Sequence, residues 1–135
     1  MDFETVKSKL LVEMSKSGFI NNLDLEFTQM DENVVIGRIP FATKFLNPYG
    51  TMHGGLLYAL ADTVAGSLAC LCGRMCTTVD GHLTYLRPAA DTEYVYCKAT
   101  LIRSGMHLAY VRVEIYGDDG TLYDDGDFNY YKLAD

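Results

Sequence analysis

One carboxylate stands alone in the most apolar stretch of this 135-residue chain. Asp62 lies within Leu56 to Cys72, a run otherwise built from aliphatic, small and weakly polar side chains. Burying an ionised carboxylate without a partner costs far more than any single side chain recovers. Two readings of Asp62 therefore stand. Either neighbouring hydroxyls or amides satisfy it inside a core helix, or it is a general base or nucleophile. The stretch is entered through Asn47-Pro48-Tyr49-Gly50-Thr51-Met52-His53-Gly54-Gly55. His53, Gly54 and Gly55 fall where a helix would start. There the first N–H groups lack internal partners and sit at the positive end of the macrodipole. Glycines let a ligand come close to that backbone. Such a place can hold a carbonyl oxygen while it gains negative charge, the dominant catalytic need in acyl transfer.

The spacing adds a constraint. Gly54 and Asp62 are more than two helical turns apart, roughly 12 Å along the axis. One subunit does not easily bring both to the same small carbonyl. Two antiparallel copies of the helix would, with Gly54 of one opposite Asp62 of the other. If the site exists, it lies at a dimer interface.

Other chemistries fit less well. His53, His82 and His107 fall on three separate elements, so no metal is expected. Cys70, Cys72, Cys76 and Cys97 match neither a disulfide framework nor a common zinc spacing, and read as buried, reduced, poorly nucleophilic thiols. There is no serine-centred nucleophile elbow. Tyr49 and Tyr58 lie near the presumed site and either line an acyl pocket or pack in a core or interface. Lys44, Arg87 and Arg103 are either phosphate ligands or ordinary surface charge.

These residues need elements to position them. Asp2 to Ser17 has helical spacing, with Phe3, Val6, Leu10, Leu11 and Met14 on one side, and Gly18 as a stop. From Leu23 the period becomes two, followed by a turn at Asp31-Glu32-Asn33 and a strand from Val34 to Ile39. The central helix is expected over residues 52–73, apolar nearly all round and so buried nearly all round. Four strands follow: Thr77 to Leu86, Glu93 to Ile102, Leu108 to Tyr116 and Leu122 to Leu133. The last three suit an antiparallel meander. The expected fold is α+β. A long central helix is wrapped by a curved antiparallel sheet, with an N-terminal helix over residues 1–18, all in one domain spanning 1–135. A second subunit would cover what the sheet leaves open.

The formal charge of −7 disfavours nucleic acid as a partner. A transmembrane reading of the central run fails on Asp62 near its middle and on the small polar residues around it. No secretory signal is evident, and the thiols suggest a reducing, cytoplasmic setting.

With these residues in place, the sequence resembles the hotdog-fold acyl-CoA thioesterases, in particular the branch of the phenylacetate-pathway (PaaI-like) enzymes and a related human thioesterase. The resemblance rests on Asn47, Gly50-Thr51-Met52-His53-Gly54-Gly55, Leu60-Ala61-Asp62, Thr77-Thr78-Val79-Asp80 and Tyr85-Leu86-Arg87-Pro88-Ala89. It covers roughly residues 30 to 130. It implies a homodimer with two equivalent interfacial sites, often paired into a homotetramer, acting on acyl-CoA with no cofactor or metal. By resemblance, the Gly54 N–H polarises the thioester carbonyl, and Asn47 and His53 shape the site. Asp62 of the other subunit acts as base or nucleophile, and Thr78 orients the water. Gly55, Tyr58 and Arg87 are the expected substrate contacts. The chain departs from the resemblance in the acids of Tyr123-Asp124-Asp125-Gly126-Asp127, which read as an exposed edge, a modified subunit contact or a solvated face. A non-catalytic acyl-ligand module and a thioester dehydratase are the alternative functions.

Overall fold

The computed structural model describes residues 1–134. Helix α1 (Phe3–Ser15) starts where the Asp2 carboxylate accepts the Thr5 N–H, and α2 (Gly18–Asn21) starts where the Ser17 hydroxyl accepts the Ile20 N–H. One helix over 1–18 was expected, but the second N-cap at Ser17 divides it, since a capping residue has non-helical backbone. Strand β1 (Glu26–Met30) begins three residues later than the alternation suggests. Asp24 has φ +54°, a left-handed conformation that a strand does not admit.

Strand β2 (Val34–Pro40) follows, then a single 3-10 turn at Thr43–Phe45 and the central helix α3 (Gly54–Cys70). Strands β3 (Cys76–Tyr85), β4 (Tyr94–Ser104), β5 (Leu108–Tyr116) and β6 (Leu122–Lys132) complete one antiparallel six-stranded sheet in the order β1-β2-β4-β5-β6-β3. The meander β4-β5-β6 is present, and β3 closes on β6 at one edge. Sheet and helix bury each other. Leu60, Val64 and Leu68 of α3 pack in one core with Val35, Ile39, Val95, Val111, Val113, Ile115 and Phe128. Each such large aliphatic contributes about 1.5–3 kcal/mol by leaving water.

The helix is not covered all round. Ala59, Asp62, Thr63, Gly66 and Cys70 recur at three- and four-residue steps and are half-buried, with Gly55 exposed at the head of the same stripe. Beside it, β3 is an unpaired edge whose residues Thr77 to Asp80 are all exposed, Val79 by 55%.

Two expectations are corrected. The acids of β6 are not on an edge, because β6 lies between β5 and β3. Asp125 faces out to Arg112 at 3.3 Å, but Asp124 points inward and has 0% exposure. It shares its parity with buried Phe128 and Tyr130, and strand side chains alternate. The thiols also differ. Cys97 is buried, yet Cys70 and Cys76 are half-buried and Cys72 is exposed. Helix α3 ends at Cys70, which leaves Cys72 in the turn. A hydrogen bond from the Cys76 thiol lowers the pKa of Cys70, despite its burial.

Candidate active site

The turn before α3 is built by Asn47. Its Oδ1 accepts the N–H groups of Tyr49 (2.9 Å) and Thr51 (3.2 Å), and its Nδ2 donates to Thr51 Oγ1 at 2.8 Å. Gly50 takes φ +82° inside this loop, a conformation glycine adopts without steric cost. Main-chain bonds from Met52 to the Ala89 carbonyl and from His53 to the Phe45 carbonyl (2.9 Å) hold the exit of the turn.

His53 is the N-cap of α3. Its Nδ1 accepts the Gly55 N–H at 2.9 Å, which makes it the acceptor nitrogen and leaves the proton on Nε2. The Gly55 N–H is therefore already engaged. Among the described residues nothing accepts the Gly54 N–H. It lies at a cleft of about 330 Å3 that Asn47, Gly54, Leu57, Tyr85, Arg87 and Pro88 help to line. Buried Leu57 makes one wall apolar.

Tyr85 covers Gly54. Its hydroxyl donates to the Gly54 carbonyl at 2.6 Å, and its ring would be 3.4 Å from a Cβ at that position. Tyr85 belongs to the motif of the resemblance, but this contact was not foreseen, because it depends on how β3 crosses α3 in space. Arg87 follows β3 and donates from Nη1 to the Leu122 carbonyl at 2.9 Å.

Asp62 is two turns further along α3, at the β3 edge. Its Oδ1 accepts from Thr78 Oγ1 at 2.9 Å and from the Tyr130 hydroxyl at 2.8 Å, which is also 3.0 Å from the Asp62 main-chain oxygen. Thr78 and Tyr130 are paired across β3 and β6, so both side chains rise from one face toward the helix. A bulge beside Thr78 breaks the register at Val79 and bends the strand locally. Burial, reinforced by the nearby Asp62 charge, holds the Tyr130 phenol far above its ordinary pKa, so it remains a donor. Both bonds fall on Oδ1. Oδ2 accepts none from the described residues.

The sequence names two groups of candidate residues, and the structure keeps them apart within one chain. Asn47, His53, Gly54, Gly55 and Arg87 cluster at the start of α3; Asp62 and Thr78 meet at its middle. Tyr58 is elsewhere. Its ring packs on Phe128 at 5.1 Å and its hydroxyl donates to the Gly81 carbonyl at 3.3 Å. A Cβ at Gly81 would collide with the Phe128 ring, so glycine permits this packing. Lys44 pairs with Asp24 at 2.7 Å, and Arg103 lies by the β4–β5 turn, beside Gly105. Tyr130 was missed, although its even spacing from Phe128 in β6 marks an inward position. Among the described residues, no helix is long and apolar enough to cross a membrane, and no group of three or more His, Cys, Asp or Glu side chains is placed to hold a metal ion.

A family model described as the thioesterase superfamily matches residues 49–123, more than half of the chain. Human acyl-coenzyme A thioesterase 13 is 32% identical over 84 residues, which span 60% of this chain and 59% of that protein. The Escherichia coli PaaI protein of the phenylacetic acid degradation operon superposes with a TM-score of 0.90 at 17% identity, covering 98% of this chain and 97% of the other. A Streptococcus pneumoniae thioesterase solved with coenzyme A superposes with a TM-score of 0.77 at 22% identity, covering 82% and 86%. That protein was also solved with an aspartate, and separately a threonine, replaced by alanine.

Proposed function

This chain belongs to the thioesterase superfamily, has the hotdog fold and is a thioester hydrolase; on that premise we propose that it hydrolyses acyl-CoA to free acid and CoA at a site shared between two subunits. The observation that carries the residue assignment is the Asp62 carboxylate, clamped through Oδ1 by two hydroxyls with Oδ2 left for a water. Asp62 and Thr78 are 16 positions apart, as are the two residues replaced in the Streptococcus pneumoniae protein.

The thioester carbonyl oxygen accepts the free Gly54 N–H at the positive end of α3, which stabilises the charge that develops there. Oδ2 of Asp62 from the partner subunit removes a proton from water as the water oxygen attacks the carbonyl carbon. The C–S bond then breaks, the acid is released, and the proton passes to the CoA sulfur. Tyr130 and Thr78 fix the carboxylate in place. Asn47 and His53 set the loop that presents Gly54. The half-buried stripe on α3, with its small residues, accommodates an antiparallel second α3. The exposed β3 edge beside it provides a strand for pairing, and long uncovered edges are a liability in a monomer.

A screen of acyl-CoAs with thiol release as the readout tests the activity. Wild type should turn over at least one aryl-acetyl, hydroxybenzoyl or medium-chain substrate. Heterodimers made from Asp62→Asn subunits and subunits blocked at Gly54 should recover up to half the sites. No recovery in properly formed heterodimers would refute the shared site.

A further inference from the structure

Among the described residues Asp124 is the one buried acid, and this mechanism does not use it. It has 0% exposure, and neither carboxylate oxygen has a hydrogen-bond partner. Such a group is rare, because an unpaired buried carboxylate must either find a donor or stay neutral. Its place in the sheet shows where a donor is. Cys97, Ile115, Asp124 and Tyr85 are successive cross-strand partners in one row across β4, β5, β6 and β3. Direct partners have Cβ atoms about 5 Å apart. Asp124 therefore stands between the aliphatic Ile115 and Tyr85, and Tyr85 is the residue whose hydroxyl rests on the Gly54 carbonyl.

The other titratable groups around it offer no better donor. On α3, Tyr58 is held on the Gly81 carbonyl. On β4, burial pushes the Cys97 thiol far above its ordinary value, with the charges of Asp124 and Glu114 adding to it, and it is one strand further away in the row. On β5, Glu114 is an acid and precedes the aliphatic Ile115. Tyr85 is half-exposed, and burial followed by the Asp124 charge raises its pKa, so it keeps its proton to donate.

We propose that Asp124 is a positioning residue for the oxyanion site: as a neutral acid it leaves the Tyr85 hydroxyl on the Gly54 carbonyl, and when ionised it takes that hydroxyl as its donor and draws Tyr85 back from the Gly54 cleft that it lines. The only covalent change is loss of the Asp124 proton to solvent. The exchange falls in a useful range, because burial pushes Asp124 up to about 7. The inference rests on the thioesterase reading for its kinetic consequence only.

The test is the pH dependence of KM between pH 6 and 8. In wild type the fraction with Tyr85 drawn back from the cleft rises from about one tenth to nine tenths, so KM should fall about ten-fold. Asp124→Asn, which cannot ionise, and Tyr85→Phe, which has no hydroxyl to exchange, should each lose this dependence, and the double variant should resemble the singles. A ten-fold fall retained in either single variant would overturn the proposal. An activity-independent readout separates it from the hydrolase assignment. Nuclear magnetic resonance on 13C-carboxyl-aspartate and ring-labelled tyrosine should show one aspartate, absent from Asp124→Asn, titrating together with one tyrosine, absent from Tyr85→Phe. Titration of the aspartate without the tyrosine also overturns it, whether or not any acyl-CoA is hydrolysed.

Discussion

Two carboxylates stand beside the middle and the start of this helix in opposite ways. Asp62, half-buried at the open β3 edge, is gripped through one oxygen by Thr78 and Tyr130. Asp124, on the inner face of β6 and next to the residue bonded to the Gly54 carbonyl, touches no donor at all. A carboxylate with donors on one oxygen is oriented and keeps an acceptor free for a proton transfer. One without donors is held neutral by its surroundings, and the fold carries the cost whenever it ionises. Burial alone does not distinguish a working acid from a dormant one. The arrangement of donors does.

The largest effect should come from removing the first acid. Asp62→Asn keeps the shape and both neighbouring hydroxyls but cannot take a proton at Oδ2. We expect kcat to fall by about 10^2–10^4-fold, the usual range for loss of a general base. KM should be little changed, because the loss is in the transition state. Steady-state thiol release over a concentration series measures both constants. Near-normal kcat would mean that the two carboxylates do not divide their roles as proposed.

The second acid should register in stability. The folded-state pKa of Asp124 is raised from 3.8 to about 7. Below about pH 4 it is protonated in both folded and unfolded chains and contributes no difference. Between about pH 4 and 7 the unfolded chain loses its proton first, so stability falls as pH rises; above 7 the cost is complete, at most about 4 kcal/mol. Asp124→Asn should therefore gain stability over wild type at pH 8 relative to pH 4. Urea denaturation at both pH values reads the difference. An equal offset at the two pH values would show that Asp124 ionises in the folded protein as easily as in water.

Much of this contrast could be read from the residues, but not all. Asp62 announced itself by isolation in an apolar helix, and Gly54 by its position at the helix start. Both are local signals, as is the element order. Asp124, Tyr85 and Tyr130 depend on which strand lies beside which. The position of β3 outside β6, and the bulge at Val79, are products of tertiary packing. They decide that Thr78 and Tyr130 converge on one oxygen. The alternation of β6 was nonetheless visible: Asp124, Phe128 and Tyr130 share a parity that argued against a solvated face for all three acids. The break at Ser17 likewise followed from a capping side chain that helical periodicity alone conceals.

The grip on Asp62 should be measurable one donor at a time. Tyr130→Phe and Thr78→Ala each remove one hydrogen bond to the carboxylate. A bond to a charged group is worth about 1.5–3 kcal/mol, which is about 10–100-fold in kcat if it acts mainly in the transition state. Both donors meet the same oxygen, so their effects should not add, and the double variant should differ from the product of the singles. Simple additivity would mean that they hold Asp62 independently rather than as one clamp.

Arg87 gives the smallest and most discriminating test. Its guanidinium lies at the Gly54 cleft, yet it also donates to the Leu122 carbonyl, two residues before Asp124. As a phosphate ligand it would belong to the substrate; as a main-chain clamp it would belong to the strand that carries the dormant acid. Arg87→Ala should raise KM by about 3-fold with kcat unchanged, since an exposed charge contributes less than about 1 kcal/mol. Salt separates the two roles. A phosphate contact at the surface is screened, so the wild-type KM should rise with ionic strength and the variant's should rise less. If the two salt dependences coincide and the variant instead loses stability, Arg87 acts on the Leu122 carbonyl, and the CoA phosphates are held elsewhere.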